Sequence, residues 1–230
     1  MDTSAIIVSA GNSSRMNGID KQFSLIENIP VIGHCMLAFE KCESVYEIIV
    51  SAKAENTEKI KQIAAQLGIS KLTHVVEGGN TRQASVVNGI KKVSDLTKMI
   101  AVHDGARPLI KSENIQKVIA DARIFGGATL GVPVKDTIKV VSDNLITDTP
   151  PRSSLYITQT PQVFKKSVYM RGMDFALRNG LDFTDDCQLA ESIGIKVYMT
   201  KGDYTNIKIT TPEDISIAEI LFKERKICSE

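Results

Sequence analysis

Apolar and polar positions along the chain fall into two alternating rhythms. Short runs rich in Val and Ile, at 5–8, 48–51, 74–76, 99–103, 129–134 and 196–199, read as strands. Between them, apolar residues at three- and four-residue spacing predict helices over 31–41, 57–67, 82–92, 113–125, 166–179, 185–193 and 212–226. Alternation of this kind builds βαβ units, so the fold class is α/β: a mostly parallel sheet flanked by helices. The last helix carries its own start signal, with Thr211 as N-cap, Pro212 at the first helical position and Asp214 three residues past the cap.

One segment breaks the rhythm. Ile138–Val141 and Leu145–Thr147 flank Ser142-Asp143-Asn144, a turn-rich tip, with no room for a crossover helix. This predicts a protruding β-hairpin arm, residues 136–150, on an otherwise single domain spanning 1–230.

Composition narrows the function classes. Net charge is +1, so bulk charge drives no nucleic-acid or membrane role, and any electrostatic function is local. The first apolar run is too short and lacks the basic flank of a signal peptide, and no run reaches the roughly 18 apolar residues of a membrane span. Cys35, Cys42, Cys187 and Cys228 show no CxxC spacing, which predicts reduced thiols in a cytoplasmic protein. His34, His74 and His103 have no metal-ligand spacing, and no metal ligand is assigned.

The chemistry collects where strands end. In open parallel sheets ligands bind at the carboxyl ends of the strands. Here those ends run into SAGNSSRM (9–16), EGGNTRQAS (77–85), HDGARP (103–108) and PVKDT (133–137), rich in glycine, small polar residues, Asp and Arg. Small residues let backbone N–H groups approach phosphate oxygens, and Arg15 and Lys21 then add formal charge. The plainer alternative is a loop with two solvated cations. The helix after Gly78-Gly79 opens with Arg82 and sets Ser85 three residues on, a helix end suited to a base or phosphate. Asp104 and Arg107 either face a ligand or form an internal ion pair, and His103 reads as packed. A dinucleotide fingerprint fails because Gly11 stands alone, and a Walker loop fails for want of Gly-Lys-Ser/Thr.

Taken together, SAGNSSRM with KQF, GGNTRQASV, VHDGARP, GVPVKDTIK, QTPQVF, FTDDCQLAE and NIKITTPEDI occur in this order over nearly the whole chain. The set resembles the 2-C-methyl-D-erythritol 4-phosphate cytidylyltransferases of the non-mevalonate isoprenoid pathway. The ribitol-5-phosphate cytidylyltransferases are the sister family and the alternative, sharing the opening loop and the TPQ and NIKIT motifs. The resemblance implies a Rossmann-like nucleotidyltransferase fold and transfer of CMP from CTP to a sugar-alcohol phosphate with release of pyrophosphate, Mg²⁺ accompanying the CTP. It implies that Arg15 and Lys21 stabilise the transition state. Ala10, Gly11, Gly79, Asn80, Ser85, Asp104 and Gly105 would hold the nucleotide. Arg107, Thr137, Arg152, Thr184 and Lys208 would face the acceptor, with Arg152 and Lys208 meeting on its phosphate. Lys208, between Ile207 and Ile209, is expected on a short strand. The arm would join a homodimer and reach the partner's active site. Ser9 and Ser13 depart from the family loop, which carries Ala and Gly there.

Two readings compete. A non-catalytic nucleotide-binding module has no need of four cations at these positions, and a glycosyltransferase of similar fold would want an Asp-x-Asp metal motif, which the chain lacks.

Overall fold

The computed structural model describes residues 1–11 and 20–227; Arg15, Ser13 and Cys228 lie outside the described residues. In chain order the elements are β1 (Thr3–Val8), β2 (Leu25–Ile26), β3 (Ile29–Pro30), α1 (Val31–Glu40), β4 (Val45–Ala52), α2 (Thr57–Gln66), β5 (Leu72–Glu77), α3 (Arg82–Ile90), β6 (Met99–Asp104) and α4 (Ser112–Phe125). There follow β7 (Gly127–Pro133), β8 (Val140–Ser142), β9 (Leu145–Asp148), β10 (Tyr156–Lys165), α5 (Lys166–Arg178), α6 (Cys187–Glu191), β11 (Tyr198–Lys201) and α7 (Glu213–Ile227).

Seven strands form one sheet in the order β11-β7-β10-β6-β1-β4-β5. All neighbours are parallel except β10, which runs antiparallel to both β6 and β7. The central strands are covered on both faces, which is why β1 and β6 read as unbroken apolar runs rather than as alternation. Ala5 and Ile7 pack with Ile32, Met36 and Phe39 of α1, while Ile6 points to the other face with Val86 of α3 and Phe164. Each of the larger side chains among these contributes roughly 1.5–3 kcal/mol. A third cluster seats α7: Ile26, Val31 and Leu109 enclose Ile209 and Ala218.

Local signals set the boundaries. Thr81 Oγ1 caps α3 by accepting from Ala84 N at 3.1 Å. Gly126, at φ 90°, ends α4 in the left-handed region that glycine enters without strain. Asp214 reaches back to accept from Thr211 N at 2.9 Å, the carboxylate half of the expected capping box.

Three expectations need correction. The sheet contains a ten-residue strand, β10, that the apolar pattern does not announce. Its register shifts between Thr158 and Gln162, where Pro161 has no N–H for the ladder, and Pro argues against a strand when read from sequence. The helix over 185–193 shortens to Cys187–Glu191. Lys208 lies on irregular chain, not on a strand; Ile209 N donates to Ala106 O, tying that segment to the loop after β6. The hairpin forms as expected. Asp143 and Asn144 both take positive φ, 51° and 64°, as a two-residue hairpin turn requires. Cys35, Cys42 and Cys187 are buried free thiols, and no helix among the described residues is long and apolar enough to cross a membrane.

Candidate active site

A cleft of about 670 Å³ opens at the carboxyl ends of β1, β4, β5 and β6. β4 and β6 lie on opposite sides of β1, so the chain reverses direction across the sheet here, the place where open α/β sheets take ligands. Ser9, Ala10 and Gly11 leave β1, Lys53 leaves β4, Gly78 and Gly79 leave β5, and Asp104 ends β6; all but the last of these are loop residues, and all line the cleft.

The floor is held by backbone bonds. Ser9 N donates to Ser51 O (2.7 Å), Gly78 N to Ala52 O (2.8 Å) and Gly105 N to Val8 O (2.9 Å). Glycine at 78 and 79 is required by close approach. A Cβ on Gly78 would lie 2.2 Å from Ala10 Cβ, and one on Gly79 2.4 Å from Ala84 Cβ. Ser85, expected toward the nucleobase, lines the cleft but also organises its wall. Its Oγ donates to Thr81 O (2.9 Å) and accepts from Gly79 N (3.0 Å). Ser9, one of the two departures from the family loop, keeps its hydroxyl on Ser51 O at 2.9 Å.

Asp104 is the electrostatic centre. Its Oδ1 accepts from Arg82 Nε at 3.3 Å, and its Oδ2 lies 2.9 Å from Lys208 Nζ and 3.7 Å from Arg107 Nε. Burial alone would raise its pKa, but Arg82, Lys208 and Arg107 hold it well below the ordinary carboxylate value. The internal Asp104–Arg107 pair therefore exists, as one part of a larger cluster. Arg107 itself does not line the cleft: half-buried beside Asp104, it donates to Asn206 O at 2.9 Å. His103 is buried with its ring between Thr160 Oγ1 (3.0 Å) and Arg107 O (3.2 Å), and burial pushes its pKa down to about 4. It is a packed histidine.

Of the residues singled out from sequence, the cleft brings together Ala10, Gly11, Lys21, Gly79, Asn80, Ser85, Asp104 and Lys208. Lys21 sits in a short 3₁₀ turn (Lys21–Phe23) capped by Asp20, and its Nζ donates to Ile209 O at 3.0 Å. Gly105 packs beneath, against Ser9 and Gln22. Thr137 is exposed at the base of the arm, and Thr184 is exposed with its hydroxyl on Gln188. Arg152 lies just past the arm, donates to Lys135 O at 2.8 Å and does not line the cleft. Within one chain Arg152 and Lys208 are thus not brought to a common site. Sequence reasoning left Lys53, Arg82 and Asp186 without a role; Arg82, the first residue of a helix after two glycines, carried the clearest signal.

Glycine turns, a helix N-terminus and four cations (Lys21, Lys53, Arg82, Lys208) gathered at one sheet edge define a nucleotide-handling α/β transferase. The model of the family described as 2-C-methyl-D-erythritol 4-phosphate cytidylyltransferase matches residues 3–224, and the chain belongs to that family of nucleotidyltransferases. It is similar to the 2-C-methyl-D-erythritol 4-phosphate cytidylyltransferase of Caldanaerobacter subterraneus, 44% identical over 97% of this chain and 100% of the relative. The enzyme of that name from Clostridium novyi is 39% identical over 97% of this chain and 98% of its own length. Among solved structures, the 4-diphosphocytidyl-2C-methyl-D-erythritol synthase of Anaerococcus prevotii superposes with a TM-score of 0.87 at 29% identity, covering 96% of each chain.

Proposed function

We propose that the chain transfers CMP from CTP to 2-C-methyl-D-erythritol 4-phosphate, giving 4-diphosphocytidyl-2-C-methyl-D-erythritol and pyrophosphate. The observation that carries this reading is the cleft itself. Small-residue turns and the start of α3 are combined with Lys21 and Lys208 on one side of the sheet, in a chain that belongs to this family.

In the reaction an oxygen of the acceptor's phosphomonoester attacks the α-phosphorus of CTP. A new P–O bond forms while the bond to the β-phosphate's bridging oxygen breaks, and pyrophosphate leaves with that electron pair. Lys21 takes up charge developing on the α-phosphate and the leaving group, together with Arg15. No side-chain base is called for, since a phosphomonoester is largely dianionic near neutral pH. Lys208 receives the acceptor phosphate at the mouth of the cleft.

Among the described residues no group of three His, Cys, Asp or Glu side chains could cage a metal ion. The donor set fits Mg²⁺ held mainly by phosphate oxygens and water, as that ion prefers, with Asp104, Glu55 and Glu77 the carboxylates that line the cleft. Bound there, Mg²⁺ would neutralise triphosphate charge.

The arm supports a homodimer. Val140, Val141, Leu145 and Ile146 are all exposed on a two-stranded ribbon that such a length of chain does not hold stable in water alone. A symmetric partner covers them, and Arg152, standing off its own cleft, then serves the partner's acceptor site together with Thr137. The reduced thiols fit a cytoplasmic setting. The test is pyrophosphate release with CTP, Mg²⁺ and the methylerythritol phosphate, against ATP, GTP and UTP. Preference for CTP supports the reading, and equal use of the four nucleotides overturns it.

A further inference from the structure

The first turn of α3 is clasped by the segment that follows α5. Thr81 Oγ1 donates to Asp182 Oδ1 at 3.0 Å, Gln83 Nε2 donates to Leu181 O at 2.9 Å, and Phe183 N donates back to Gln83 Oε1 at 3.0 Å. Between these two, Arg82 Nη1 pairs with Asp186 Oδ2 at 2.7 Å. Three successive residues at the start of α3, of which Thr81 and Arg82 line the cleft, are therefore fixed by one stretch, 181–186.

Asp186 is no surface carboxylate. Its side chain is 3% exposed, against 22% for Arg82. Its Oδ1 accepts from the buried Tyr169 hydroxyl of α5 at 2.5 Å, and its own N–H donates to Gln162 Oε1 of β10 at 2.7 Å. The carboxylate is thus aimed by Tyr169, and its backbone is anchored by Gln162, neither of which lines the cleft. A buried carboxylate placed against one guanidinium fixes that guanidinium's direction, because Arg offers a rigid planar fork.

Arg82 uses Nε for Asp104 and Nη1 for Asp186, and no hydrogen bond or ion pair to a described residue involves Nη2. Both N–H groups of Nη2 remain for a ligand in the cleft that Arg82 lines. Burial works against the charge on Arg82, but Asp186 and Asp104 more than offset it, so the guanidinium stays protonated. Flanked by two carboxylates, it presents directed donors with little net charge to spend on a developing anion. That suits holding the ground-state nucleotide rather than stabilising the transition state.

We infer that Asp186, oriented by Tyr169, is a positioning residue for nucleotide binding: it holds Arg82 so that its free N–H groups meet the bound CTP. The inference rests on the reading of the cleft as a CTP site.

The test compares Asp186→Asn and Tyr169→Phe with the unaltered enzyme, varying CTP at saturating acceptor and recording thermal melting. Asp186→Asn keeps the shape and removes the charge, and should raise the KM for CTP about tenfold while kcat stays within about threefold. Tyr169→Phe removes one hydrogen bond and should raise the KM by about threefold. Combining Asp186→Asn with Arg82→Ala should add nothing to the loss caused by Arg82→Ala alone. Should Asp186→Asn fail to fold, Tyr169→Phe decides. A folded variant with an unaltered KM for CTP, a loss confined to kcat, or additive losses in the pair would overturn the inference. An unaltered enzyme that releases no pyrophosphate from CTP would instead overturn the functional reading on which it rests.

Discussion

Lys208 Nζ lies 2.9 Å from Asp104 Oδ2, and the Lys208 side chain is still 43% exposed at the mouth of the cleft. A lysine so placed is tethered to Asp104 while much of its side chain stays open to solvent, where the proposed function puts the acceptor. Replacing it by alanine should raise the acceptor KM and lower turnover on the order of 10²-fold, through misplacement of the attacking oxygen. CTP affinity, measured by calorimetry, should change far less. Arg152→Ala should show the same split. A collapse of CTP affinity with normal acceptor saturation would place both residues on the nucleotide instead.

Lys21 illustrates a different role. Its Nζ on Ile209 O bridges the turn at 21–23 to the segment that carries Lys208. Lys21→Ala should lower kcat on the order of 10²-fold, the cost of losing one donor to developing negative charge. Circular dichroism should show an intact fold. Near-normal turnover would remove Lys21 from catalysis.

How much of this was legible in the sequence follows from what each signal depends on. Strands β1 and β6 declare themselves because they are covered on both faces, and the motif-bearing loops at their ends locate the cleft. Strand β10 hides because its middle, Gln159-Thr160-Pro161-Gln162, is buried polar chain. Thr160 Oγ1 serves Asp104 N and His103, and Gln162 serves Asp186, so no apolar run exists to be read. Lys208 alternates with two isoleucines and so mimics a strand, yet its neighbours pack under α7 and hydrogen-bond to the loop after β6. The turn of Arg107 away from the cleft, toward the carbonyl of Asn206, depends on a contact 99 residues distant, and no local pattern encodes it.

Gly78 offers a steric test of the cleft wall. A methyl there would meet Ala10 Cβ at 2.2 Å and Ser85 Oγ at 3.0 Å, and that hydroxyl is held by Thr81 O and Gly79 N. Gly78→Ala should cost about 1–3 kcal/mol of stability and raise the KM for CTP by pushing the first loop into the site. At Gly11 nothing among the described residues lies within 4 Å of where a Cβ would stand, so Gly11→Ala should leave the melting midpoint unchanged. Equal melting of the two variants would show that the loops at 10 and 78 do not touch.

The pH dependence of stability should carry the mark of His103. Its pKa falls from the ordinary 6.5 to about 4 because burial disfavours the charged ring. Below about pH 6.5 the unfolded chain binds a proton that the folded chain refuses, so stability declines as pH falls toward 4, by about 1.4 kcal/mol per unit from this group. Asp104 contributes with a different window. Its depressed pKa adds stability that is present above its unfolded value of 3.8 and is lost only as pH drops below it. Urea unfolding at about pH 7 and about pH 5 should show a loss near 2 kcal/mol that His103→Gln removes. An undiminished loss in that variant would assign it to other groups.

The reaction proposed for this cleft joins CMP to 2-C-methyl-D-erythritol 4-phosphate. The most direct measurement is a side-by-side comparison of kcat/KM for that acceptor and for ribitol 5-phosphate, with saturating CTP and Mg²⁺ and with the nucleotide product identified by mass. A clear preference for the methylerythritol phosphate, with 4-diphosphocytidyl-2-C-methyl-D-erythritol as the product, is the predicted result. Equal or better use of ribitol 5-phosphate would contradict it.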